Sequence, residues 1–210
     1  MLYCLTDGRG RTSTELAMLA GITPSTASIH LHRLKAQRLV QVFAQGKHRY
    51  YSLQGRDVAV VLEALGVLAG SSGQLTTSTP THLRVARTCY DHIAGTLGVL
   101  LHDRFQTLGW LKAPRSDDHT YDVTPKGAAA FQAMGIDVEH SRGLRRRFAY
   151  ACLDWSERRP HLAGALGAAV LEAALRRKWV AQDLDSRSLE ITRTGRRELR
   201  ARFGITELPE

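Results

Sequence analysis

The chain has few of the features that would place it outside a reducing, aqueous compartment. Its 210 residues include three cysteines, Cys4, Cys89 and Cys152, odd in number and far apart in sequence. That argues against a disulfide framework and for a reducing environment. No run of eighteen apolar residues occurs, and residues 1–5 are too few, and lack the basic flank, for a signal peptide. A cytoplasmic protein with no membrane partner is expected. Glycine-rich phosphate loops, a Gly-x-Ser-x-Gly elbow and a His-Glu-x-x-His pair are also missing, so no enzyme is expected. Cys89 and His92 are the one pair that could act as nucleophile and base, and no oxyanion donors are evident beside them.

Acidic residues are absent from a long window. Between residues 16 and 56 there is no Asp or Glu, while Arg33, Lys35, Arg38, Lys47, Arg49, Arg56 and the histidines His30, His32 and His48 all fall there. With 29 Lys+Arg against 20 Asp+Glu, the net charge is +9, and an anionic partner is implied. A solvated basic face is the plainer reading of such a run, and composition alone does not separate the two. The hydrophobic content of 43% is enough to bury a core without a metal or disulfide staple.

What is present in that window has an order. Thr12, Ser13 and Thr14 with Glu15 supply helix caps, and Leu16, Ala17, Leu19 and Ala20 follow at helical spacing. Gly21 ends that helix, and Thr23-Pro24 begins another whose apolar positions are Ala27, Leu31 and Leu34. Two short helices joined by a tight turn make a helix-turn-helix. Small polar side chains near the start of the second helix fit a major groove and reach base edges, and cations further along neutralise phosphates. Residues 39–44 and 49–53 are then two β-prone runs around the tip Gln45-Gly46-Lys47-His48, a basic hairpin or wing. Residues 57–69, apolar at helical spacing, close the unit. The DNA-contacting set expected is Thr23, Ser25, Thr26, Ser28, His30, His32, Arg33, Lys35, Lys47, His48 and Arg49.

The segments Thr14-Glu15-Leu16-Ala17, residues 21–31 and residues 46–53 resemble the ArsR/SmtB family of winged-helix repressors. The likeness covers about the first third of the chain. It implies that Ser25, Thr26, Ser28 and His30 face the groove, with Ile29 where the family commonly has arginine. It also implies a homodimer on a palindromic double-stranded DNA operator, with recognition helices about 34 Å apart. The family's usual first helix is truncated or absent here, so dimerisation would rest on residues 57–69 and the rest of the chain. Its usual metal sites do not transfer: residues 14–20 hold no cysteine and residues 57–69 no histidine.

Residues 70–80 are small and polar, as in a linker. Beyond them the sequence repeats: His92-Ile-Ala-Gly-Thr-Leu-Gly98 with Trp110 returns 69 positions later as His161-Leu-Ala-Gly-Ala-Leu-Gly167 with Trp179. The fold expected is mainly α with small β-hairpins (α+β). It comprises a winged helix-turn-helix over 1–70, a linker over 71–80, and two helix-strand-helix, winged-helix-like units over 81–140 and 141–210. The glycines at i, i+3 (Gly95 and Gly98; Gly164 and Gly167) are read as a bare helix face that lets another helix approach.

Each copy opens with matching chemistry: Cys89, Asp91 and His92, then Cys152, Asp154 and, after an insertion, His161. Cys89 and His92 are placed at i, i+3 on one helix face. Thiolate with imidazole suits a soft or borderline divalent metal such as zinc, cadmium or lead; a thiol beside histidine also suits redox sensing or capture of an electrophile. Buried structural cysteines with capping Asp and His residues are the plainer reading. No cofactor is required. The function expected is a sequence-specific regulator, a repressor released by an unknown small effector sensed in residues 81–210. A non-specific DNA-organising protein is the rival, and the groove-sized Ser/Thr set argues against it.

Overall fold

In the computed structural model a capping box opens the first helix. The Thr12 hydroxyl accepts the Glu15 N–H, and the Glu15 carboxylate accepts the Thr12 N–H at 2.6 Å. The structure describes the chain except residues 7, 9, 46–47, 72–80, 113–119, 155, 183–185, 207 and 209–210. It divides into two units, Met1–Gly66 and Val67–Glu210.

In the first unit a 3-10 turn, Leu2–Leu5, precedes β1 (Arg11–Thr12), α1 (Ser13–Ala20), α2 (Pro24–Ala36), β2 (Val40–Gln45), β3 (His48–Leu53) and α3 (Arg56–Ser71), of which the residues up to Gly66 belong to this unit. Gly21 ends α1 at φ 63, a left-handed turn that glycine takes without steric cost. Thr23 then caps α2 and Pro24 fills its first position. The sheet order is β1-β3-β2, with Val40 opposite Leu53 and Gln45 opposite His48. Leu5, Leu16, Ala17, Ala27, Leu31, Val40, Leu53 and Leu62 form the buried interior, so one stripe of each helix faces one side of the hairpin. The expected helix-turn-helix and wing are therefore both present. The tip residue Lys47 and the connector from 72 to 80 lie outside the described residues.

The second unit begins with α4 (Thr81–Val85), then β4 (Arg87–Cys89), β5 (His92–Ala94), α5 (Gly95–Thr107), β6 (Leu111–Lys112), β7 (Asp122–Val123), α6 (Pro125–Ala133) and α7 (Val138–Gly143). It continues with β8 (Tyr150–Leu153), β9 (Pro160–Ala163), α8 (Gly164–Arg176), β10 (Val180–Gln182), β11 (Leu189–Ile191) and α9 (Arg193–Phe203). The order hairpin, helix, hairpin, helix thus occurs twice.

The hairpins are exchanged between the two runs. Leu189 N–H donates to Ala86 O at 2.9 Å and Thr88 N–H to Arg187 O at 2.8 Å, which joins β4 to the β11 edge. Tyr121 N–H donates to Ala149 O at 3.0 Å, which joins the approach to β7 to β8. One hydrophobic core spans both runs, and Phe105, Trp110, Phe131, Trp179 and Phe203 pack ring to ring at its centre.

A second local device recurs three times. Arg38 (φ 56), Gly109 (φ 68) and Lys178 (φ 56) turn the chain out of α2, α5 and α8. The next residue's N–H reaches back five positions: Leu39 to Leu34 O, Trp110 to Phe105 O, Trp179 to Ala174 O. Its carbonyl then accepts from the far side of the following hairpin, from Gln54, Thr124 and Thr192 respectively.

Two expectations are corrected. Cys89 and His92 do not share a helix face; they sit directly opposite one another on β4 and β5, because Tyr90 takes φ 58 and, with Asp91, closes a two-residue turn. Nor do Gly98 and Gly167 admit a second helix, although Gly95 does stand against α4, where a Cβ would lie 2.5 Å from Arg84 O. A Cβ on Gly98 would stand 2.5 Å from Ile93 O and 3.4 Å from His161 Cβ. One on Gly167 would stand 2.5 Å from Leu162 O and 3.2 Å from His92 Cβ. What approaches at Gly98 and Gly167 is the helix's own preceding strand together with the histidine of the other hairpin.

Candidate nucleic-acid interface and Cys/His cluster

On α2, Ala27 and Leu31 are buried, and helical geometry sets Ser25 and Ile29 on the opposite side with His32 beside them. Ser25, Ser28, His32, Arg33 and Lys35 are exposed, Ile29 is 57% exposed, and Thr26 is half-buried. The Thr23 hydroxyl is engaged locally: it accepts the Thr26 N–H at 3.2 Å and meets the hydroxyls of Ser25 and Thr26 at 2.9 and 2.8 Å. His30 and Arg33 also line an apolar groove of about 630 Å³ with Met1, Leu2, Tyr3, Leu34 and Leu62. On the wing, Arg49 is exposed opposite Ala44, and Phe43 stacks on Tyr50 with centroids 5.5 Å apart. Of His48 only its backbone place opposite Gln45 is described.

In the second unit the tips of two hairpins meet. Cys89 faces His92 across β4–β5, and Cys152 faces His161 across β8–β9. The four ligand atoms lie within 4.8 Å of one another. His92 Nε2 is 3.1 Å from His161 Nε2, and Cys89 Sγ is 4.0 Å from Cys152 Sγ. His92 Nδ1 faces Asp91 Oδ1 at 3.1 Å and His161 Nδ1 faces Asp154 Oδ2 at 3.5 Å. Each carboxylate has an arginine in turn: Arg146 reaches Asp91 at 2.7 Å, and Arg87, fully buried, reaches Asp154 at 2.9 Å. Asp154 Oδ2 also accepts the Gly95 N–H at 2.7 Å, and its Oδ1 accepts from Ser156. Among the described residues this is a Cys/His group that could hold a metal ion.

No protein-family model matches the chain. It is 41% identical over 199 residues, 93% of its own length and 87% of the relative's, to the HTH-type transcriptional regulator YdfF of Bacillus subtilis (strain 168). The chain belongs to the HTH-type transcriptional regulators. A solved winged helix-turn-helix DNA-binding domain from Mycobacterium bovis, described as homodimeric and as a possible ArsR-family regulator, is 30% identical. That alignment covers 34% of this regulator and 68% of that chain, with a TM-score of 0.31. The identity to YdfF runs through both units, so the second is part of what the relatives share. The regulator is a DNA-binding protein and not an enzyme, and among its described residues no helix is long and apolar enough to cross a membrane.

Charge in the regulator's cluster is unevenly divided. For His92, burial is the largest influence and opposes charge, yet negative charge at Cys89 and the Asp91 carboxylate outweigh it and lift the imidazole to about 9. His161 is driven well below the ordinary histidine value by burial first and then by the charge on His92, against the pull of Asp154. Asp154 is held below the usual carboxylate range: burial opposes this, but Arg87 and His161 and the bonds from Gly95 and Ser156 prevail. The metal-free pair therefore carries one positive charge, on His92.

Sequence reasoning named all six of these residues but not Arg87 or Arg146. The signal was faint: Arg87 stands two positions before Cys89, in a strand whose other residues are apolar or small. In the arginine-rich stretches of the second unit some cations face acids, as in Arg142–Asp122, Arg159–Asp103, Arg176–Glu172 and Arg202–Glu198.

Proposed function

We propose that the regulator is a sequence-specific, dimeric repressor of the ArsR kind. The start of α2 enters the major groove, β2–β3 lies along the phosphates, and residues 81–210 receive the signal that releases the operator. One observation carries the reading: the exposed side of α2 presents Ser25 and Ser28 ahead of His32, Arg33 and Lys35, in a stretch with no acid from residue 16 to 56. Small donors reach base edges while cations behind them meet phosphate, which is how a recognition helix divides its work. Dimerisation is supported by Val61 and Leu65, which leave an exposed apolar strip on α3 with Tyr3 also exposed. Such a strip is covered most simply by its symmetry mate.

The three recurrences of helix, left-handed turn and hairpin support reading residues 81–210 as two copies of a winged-helix-like unit. Genomic selection of bound fragments by the reduced full-length protein tests the proposal. A single enriched palindrome, with half-sites one helical turn apart, is the expected result. Uniform recovery of all fragments would instead assign a non-specific DNA-organising role.

A further inference from the structure

We propose that Cys89, His92, Cys152 and His161 form a tetrahedral site for one zinc-class divalent ion, which ties hairpin β4–β5 to hairpin β8–β9. The proposal goes beyond the reading of DNA by the first unit and does not depend on it.

Four observations converge on it. The first is spacing. A tetrahedral zinc with bonds of about 2.3 Å to sulfur and about 2.0–2.1 Å to nitrogen holds its two sulfurs about 3.8 Å apart and its two nitrogens about 3.4 Å apart. The sulfurs here are 4.0 Å apart and the Nε2 atoms 3.1 Å apart, each pair within a few tenths of an ångström of that geometry, and all four ligand atoms lie within 4.8 Å of one another.

The second is orientation. Asp91, which can only accept, holds His92 by Nδ1 at 3.1 Å and so turns its Nε2 toward His161 Nε2, while Asp154 stands 3.5 Å from His161 Nδ1. At this distance one cation, a proton or a metal ion, fits between the two Nε2 atoms. The carboxylate–histidine arrangement is also what orients zinc-binding imidazoles.

The third is charge. Two thiolates neutralise a divalent ion, the imidazoles are neutral as ligands, and each outer carboxylate is matched by Arg146 or Arg87. The loaded site is neutral, as its burial requires: Cys89 is 2% exposed, His92 3% and His161 0%.

The fourth is placement. Gly98 and Gly167 bring α5 and α8 against the Cβ atoms of His161 and His92, so the base of each side chain is packed against a helix. A set of two sulfurs and two imidazole nitrogens selects zinc or a similar thiophilic ion over calcium or magnesium.

The test is titration of the metal-stripped, reduced full-length protein with Co2+, followed by displacement with Zn2+. One Co2+ per chain is expected, with the intense visible bands of tetrahedral cobalt and a thiolate charge-transfer band, both bleached by one equivalent of Zn2+. Cys152→Ser, at a half-buried position, should weaken Zn2+ binding by more than about 100-fold, beyond what loss of an outer-shell partner costs. Cys4→Ser should leave the spectrum and stoichiometry unchanged. X-ray absorption at the zinc edge of the unaltered protein should report two sulfur and two nitrogen neighbours, and needs no variant. Failure to bind, a pale octahedral cobalt spectrum, or bands that persist in Cys152→Ser would overturn the site. So would a Cys89–Cys152 disulfide in protein isolated with metal present. The fragment selection described above reads a different unit, so either proposal can fail alone.

Discussion

Arg87 and Asp154 lie 67 positions apart in sequence, yet their side chains meet at 2.9 Å with neither exposed to solvent. The pair links the strand that carries Cys89 to the loop that carries Asp154, and the same carboxylate oxygen accepts the first N–H of α5. Removing one partner leaves an uncompensated buried charge. Arg87→Met should therefore destabilise the second unit by about 3–5 kcal/mol. Arg142→Met, which breaks the exposed pair with Asp122, should cost about 0–1 kcal/mol. Urea unfolding of both variants, with equal losses as the adverse result, checks this.

Gly98 and Gly167 are needed for approach rather than for backbone freedom. Gly98→Ala or Gly167→Ala places a methyl group 2.5 Å from a strand carbonyl, and neither strand can retreat without moving a hairpin. Each should cost about 1–3 kcal/mol by overpacking. Gly143→Ala, with open space around its Cβ, should be close to neutral. Thermal melts that rank Gly143→Ala with the other two would contradict the packing described.

His102 gives the second unit an acid-side limit. It is buried, and its Nε2 accepts from the Tyr121 hydroxyl at 2.8 Å and the Gln106 amide at 3.1 Å, so a proton at Nε2 would displace both donors. Burial, with the Arg159 charge assisting and Asp103 opposing, lowers it to about 4 from 6.5. Between those values the unfolded chain holds the proton and the folded chain does not, so stability rises with pH across that window. The contribution is fully present above pH 6.5, declines as pH falls toward 4, and amounts to about 3 kcal/mol. Denaturant midpoints measured from pH 7 to 4 should fall accordingly, and His102→Gln should flatten that part of the curve.

The two faces of the DNA-reading unit should separate in binding assays. Arg49→Ala should weaken binding to every duplex and lower the slope of log K against log salt by about 1. Ser25→Ala and Ser28→Ala should leave that slope alone and reduce discrimination between operator and mismatched duplex by about 1–3 kcal/mol per affected base pair. Equal effects on slope and specificity from both kinds of variant would contradict the division of roles along α2 and the wing.

Much of the first unit was legible because its signals are local. Thr12 with Glu15, Gly21, and Thr23 with Pro24 mark helix ends within a few residues of where they act, and the alternating runs of β2 and β3 bracket a glycine-containing tip. In the second unit the sequence alone determined that matching Cys, Asp and His residues open each half. It could not decide that Cys89 and His92 oppose one another across strands, since a spacing of three also fits a helix and only the left-handed turn at Tyr90 excludes it. Nor could it bring Cys89 to Cys152, or Arg87 to Asp154. Those meetings depend on two hairpins exchanged between halves some 65 residues apart, and on glycines that let the opposing helices close over them. Caps and turns are written in neighbouring residues; the cluster exists only where distant backbones pack, and that was settled by the tertiary structure.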